Sequence, residues 1–102
     1  MTVERTYADH QTRYEIRDSA GLACALTYTA DPDEPATWKI LLPGRGGTED
    51  LYGTQRFADP DAARLQAWLS PLIGNDRAAA LADAVDAAPP PQAAWRPRTD
   101  AE

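Results

Sequence analysis

Residues able to do chemistry are few in this chain and lie far apart. One histidine, His10, follows Asp9, and an imidazole held by a carboxylate could act as a general base. Adjacent side chains rarely face one another, which counts against that pairing. The one cysteine, Cys24, lies in Leu22-Ala23-Cys24-Ala25-Leu26. A nucleophilic thiol needs a helix end or a nearby cation to lower its pKa, whereas Cys24 shares a strand face with Leu22 and Leu26 and reads as core. Without clustered His, Cys or convergent carboxylates, the chain is expected to be non-catalytic and to carry no metal or cofactor.

Two segments could hold small ligands. Gly44-Arg45-Gly46-Gly47-Thr48 follows an apolar run, and its successive amides, with the Arg45 guanidinium, could cradle an anion. It lacks the Gly-Lys-Ser/Thr ending of a phosphate loop, and no helix follows at once, so an ordinary connection is the competing reading. The acids Asp31, Asp33, Glu34, Glu49 and Asp50 could attract a hard cation. They lack the spacing and glycine of a calcium loop and read as solvated turn residues.

Macromolecular surfaces are the stronger candidates. Period-2 alternation puts Arg13, Arg17, Thr27, Thr29 and Lys39 on one sheet face, which a DNA groove or a protein could contact. Near the end of the chain, Trp95 and Arg96, followed by Pro97-Arg98, have the make-up of a short extended recognition motif.

Charge helps to decide between these partners. Lys and Arg total 10 against 16 Asp and Glu, a formal net charge of −6. Neither half of the chain is basic: residues 1–58 carry six cations and nine anions, and residues 59–102 carry four and seven. Phosphate binding draws on clustered cations, so nucleic acid is disfavoured and an unidentified protein partner is the expectation. No stretch approaches the ~20 apolar residues of a membrane span. A lone cysteine excludes an internal disulfide, and the start of the chain opens no apolar run, so no membrane association and a cytoplasmic location are expected. Arginine far outnumbers the single lysine and alanine is abundant, a bias of high-GC bacterial or phage genomes.

The elements that must position these residues begin with a hairpin. Tyr14 and Ile16 alternate with charged residues before Asp18-Ser19-Ala20-Gly21, and Leu22, Cys24, Leu26 and Tyr28 alternate after it. Asp caps such a turn and Gly accepts positive φ, so a Ser19-Ala20-Gly21 loop pairs Ile16 with Cys24 and Tyr14 with Leu26. Trp38, Ile40 and Leu42 mark a third strand, stopped by Pro43-Gly44. Residues 51–57 could add a short edge strand, with Leu51 and Phe57 pointing inward around Gly53.

Asp59-Pro60-Asp61-Ala62 signals a helix start, with Asp59 as the cap, Pro60 at the first helical position and Asp61 at the positive dipole end. The stripe Leu65, Trp68, Leu69, Leu72 then follows, with Trp68 as its buried centre and Pro71 ending the helix near Ser70. Asn75 is expected to cap a second helix running to about Ala88, buried along Leu81 and Val85 with Ala78 and Ala82 allowing close approach.

These readings predict an α+β domain: a three- or four-stranded antiparallel meander with a C-terminal helical pair packed on one face. It spans residues 10–88, between an N-terminal extension over 1–9 and a Pro-rich, flexible tail over 89–102. The function expected is that of a small acidic interaction module, an adaptor, inhibitor or regulator. A nucleic-acid-binding sheet face and an anion site at the glycine-rich loop are the alternatives. The unpaired sheet edge would also permit a homodimer.

Overall fold

A computed structural model describes residues 2–19, 21–31, 34–57 and 61–91. Five strands run in chain order as β1 (Thr2–Ala8), β2 (Gln11–Asp18), β3 (Gly21–Asp31), β4 (Glu34–Pro43) and β5 (Glu49–Gln55). They form one antiparallel sheet, each strand beside the next, and are followed by helices α1 (Ala62–Ile73) and α2 (Asn75–Ala87). The α+β meander is as expected, but the strand count is five rather than three or four.

The additional strand is β1, drawn from the segment read as an extension. Its link to β2 is the two-residue turn Asp9-His10, with φ of 52° and 65°, which pairs Ala8 with Gln11. Two successive positive φ values are the mark of a type I′ hairpin, usually built with Asn and Gly. Asp and His are among the few other residues that tolerate this region. His10 is therefore a turn residue.

Ile16 pairs with Cys24 and Tyr14 with Leu26, as turn and alternation together require. Closer to the turn the register shifts: Arg17 pairs with Leu22 and Asp18 with Gly21, so Ala23 is left without a partner as a bulge. Gly21 takes φ +115°, a conformation that a side chain would strain.

One sheet face meets the helices. Tyr14, Ile16, Cys24, Leu26 and Ile40 are wholly buried there, and Trp38 and Tyr28 nearly so, their rings 4.7 Å apart. The Tyr14 hydroxyl donates to the Ala88 carbonyl, and Arg5 donates to the Pro89 carbonyl at 3.2 Å, fastening the end of α2 to β1 and β2.

Helix α1 departs from expectation in three ways. Its cap is Asp61, whose carboxylate accepts the Arg64 amide at 2.8 Å. Its buried line is Ala62, Leu65, Leu69 and Ile73. Trp68 is only half-buried, placed at the margin where its ring meets Phe57 edge-on at 6.0 Å. Finally, the helix runs through Pro71 to Ile73. Proline removes a bond to the residue four back, here the exposed Ala67, whose carbonyl water can reach. Ser70 meanwhile bonds the Gln66 carbonyl through its hydroxyl at 2.8 Å.

Gly74 alone joins the helices at φ 93°, ψ 156°, and it rather than Asn75 occupies the cap of α2. Along α2, Ala78, Leu81, Ala82 and Val85 are buried as the spacing predicts.

Candidate functional site: the open sheet face and its outer edge

The face turned away from the helices carries the residues singled out for binding. Arg13 pairs with Thr27, Thr27 with Lys39 and Lys39 with Thr54, forming one row across four strands. The neighbouring row is Glu15, Ala25, Leu41 and Leu51. Arg17, Thr29 and Thr37 share the same side. Alternation thus placed these residues on a common side, where Thr27 is nevertheless buried.

The structure adds a line of charge pairing across it. Glu4 and Glu15 stand directly opposite on β1 and β2, where like charges repel. Arg17 lies between them, its Nη2 3.1 Å from Glu15 and its Nε 3.9 Å from Glu4. Glu15 also accepts from the Nε of Arg13 at 2.6 Å. The other end of the Arg13 guanidinium donates to Glu49 at the start of β5.

Strands about 4.8 Å apart would separate β2 from β5 by roughly 14 Å in a flat sheet, so the two long side chains meet above β3 and β4. Between Arg13 and Glu49 on this face stand Ala25 and Thr27 of β3 and Leu41 of β4. Ala25 is fully buried and Thr27 is 3% exposed, although both lie on the face turned away from α1 and α2. Arg13 is held protonated chiefly by its bond to Glu49 and also by Glu15, against the opposing effect of burial. Glu15 is held below its ordinary 4.5, first by its bond to Arg13 and then by Arg17. Lys39 is exposed and makes no ion pair among the described residues.

The other candidates are placed separately. Arg45, Gly46, Gly47 and Thr48 form an exposed tight turn joining β4 to β5. The Thr48 amide and hydroxyl both donate to the Arg45 carbonyl, at 3.3 and 2.8 Å, and the Gly44 amide donates to the Thr48 carbonyl at 2.7 Å. Those donors close the loop on itself, and the Asp50 carboxylate lies close to Gly44. Cys24 is fully buried, and burial pushes its thiol up, with Arg77 as a weaker opposing influence. An open cleft at the helix corner is lined by Asp18, Ile73, Gly74, Asn75, Asp76 and Arg77, with Arg77 engaged by Asp18 at 3.5 Å. No group of three His, Cys, Asp or Glu able to hold a metal ion occurs among the described residues. The side chains of Asp31, Asp33 and Glu34, and the Trp95-Arg96 segment, lie outside the described residues.

The exposed apolar pair Leu51 and Tyr52 departs from the sequence reading at Leu51. Leu51 was expected to point inward, yet it is 57% exposed and Tyr52 is 52% exposed. The cause is a bulge: Ile40 pairs with Gly53 but Leu41 with Leu51, so Tyr52 is the extra residue and everything before it changes face. Gly53 then faces the helices, where an added Cβ would come within 3.1 Å of Leu72 and 3.3 Å of Ile40. A glycine inside a short apolar strand was the one available signal of that bulge.

No helix among the described residues is long and apolar enough to cross a membrane. Comparison with known protein families, with curated proteins and with solved structures finds no match.

Proposed function

We propose that this chain is a non-catalytic protein-interaction module, an adaptor, inhibitor or regulator, whose docking surface is β5 and the adjoining part of the open face. The observation that carries this reading is the pair Leu51 and Tyr52, each more than half exposed on an outer strand. Half-buried Leu41 lies opposite Leu51 and extends that apolar surface inward. Large aromatic and aliphatic side chains bordered by polar groups are what protein interfaces use as anchors. Glu49, Asp50, Thr54 and Lys39 supply the polar border.

Charge pairing supports a protein partner over nucleic acid. Arg13 and Arg17 are engaged by Glu4, Glu15 and Glu49, so a phosphate would have to displace carboxylates already in place. The test is capture from a lysate of the native host, comparing the wild-type chain with Leu51→Lys, alongside titration with duplex DNA at several salt concentrations. A specific protein retained by the wild type and lost from Leu51→Lys is the expected result. Submicromolar duplex binding that falls steeply with salt and disappears on Arg13→Ala would overturn the reading.

A further inference from the structure

The geometry points to a second copy of this chain as an occupant of the outer edge of β5. The inference rests on the reading of β5 as the docking surface and adds the partner and its register. Among the described residues, β1 and β5 are the outer strands of the sheet, each with one edge that no described strand pairs. Edges of this kind are commonly blunted with lysine or proline, and β5 has neither in Glu49-Asp50-Leu51-Tyr52-Gly53-Thr54-Gln55. Its protection is the single bulge at Tyr52, which leaves two large apolar side chains exposed. β1 suits self-pairing less well, because its middle residue is Arg5 and a two-fold axis there would oppose like charges.

Antiparallel addition about a two-fold axis makes the strand its own complement. With the axis beside Gly53, Gly53 faces the partner's Gly53 and no side chain crowds the centre. Leu51, with the bulged Tyr52, then faces the partner's Thr54. Asp50 faces the partner's Gln55, and Glu49 faces the partner's Arg56, twice by symmetry. Arg56 is exposed one residue past β5. This register absorbs the bulge: the residues brought opposite one another lie on the same face, as a continuous sheet requires. Moving the axis toward the start of β5 instead sets Asp50 against the partner's Asp50. The pairing covers Leu51 and Tyr52 in both copies and joins two meanders into one sheet. A single strand pair falls short of the ~1,200–2,000 Å² of a standard stable interface, so the dimer is weak and depends on concentration.

Sedimentation equilibrium of the full chain, from low micromolar to millimolar, tests this. The expected result is a monomer–dimer equilibrium with a dissociation constant in the micromolar range or weaker. Arg56→Glu should weaken it by about tenfold or more by opposing two acids, and Glu49→Arg combined with Arg56→Glu should restore it. Because Glu49 also holds Arg13, thermal melts of every variant verify the fold. Leu51→Lys, which touches no internal ion pair, provides an independent monomerising change. A chain that is monomeric throughout overturns self-association; the edge is then left to a foreign strand, and the capture experiment alone judges the docking reading. A dimer indifferent to both Arg56→Glu and Leu51→Lys overturns the site.

Discussion

Asp9 and His10 show how one pair of residues supports two unrelated accounts. As chemical groups they suggest a base and its orienter; as backbone they are the two left-handed positions of the β1–β2 turn. The second account explains why this dipeptide and not a bulkier one stands here, since few residues accept φ of 52° and 65° in succession. Asp9 suits the first position of such a turn, but His10 stands where glycine is preferred. Replacing the pair with Asn-Gly should stabilise the domain by roughly 0.5–1 kcal/mol, because the native conformation would no longer be strained. Denaturant unfolding measures this. A destabilised double variant would show that the His10 side chain contributes contacts beyond the turn.

Among the elements, what the sequence made legible depended on whether two local signals agreed. The β2–β3 register could be read because a turn and two alternations all required Ile16 opposite Cys24. β1 could not, because Thr2-Val3-Glu4-Arg5-Thr6-Tyr7-Ala8 has little apolar alternation and its turn contains no glycine. Leu51 was placed on the wrong face because one bulged residue inverts every position beyond it. For the candidate surface, alternation revealed which residues share a face. It could not reveal that Arg13 reaches Glu49, which depends on two strands far apart in sequence presenting long side chains on one sheet face. The helix corner is a case where glycine was necessary and its reason became visible only in three dimensions. At φ 93°, ψ 156°, Gly74 occupies a region essentially closed to other residues, although the space around it is open. Gly74→Ala should therefore cost about 1–3 kcal/mol without any steric clash. A melting temperature equal to the wild type would mean that the corner can be turned another way.

Across the whole molecule, the charges Glu4, Arg17, Glu15, Arg13 and Glu49 form one line from β1 to β5 over the uncovered face. Individual surface pairs contribute little, so the line matters to stability chiefly where several pairs share one residue. Glu15 is its junction, bonded to both arginines. Its carboxyl lies below the ordinary 4.5 because Arg13, and then Arg17, favour the charged form. A depressed folded-state pKa contributes stability that is present above the unfolded value and is lost as pH falls through the folded one. Other carboxylates titrate over the same range, so the contribution of Glu15 has to be isolated by difference. Glu15→Gln keeps the shape and removes the titration. As pH falls from above the ordinary 4.5 to well below it, the wild type should lose more unfolding free energy than Glu15→Gln does, the two curves converging at the acid end. Parallel curves over that interval would mean that Arg13 and Arg17 are held as firmly by a neutral amide, and that the strap over β3 and β4 depends on hydrogen-bond geometry rather than charge.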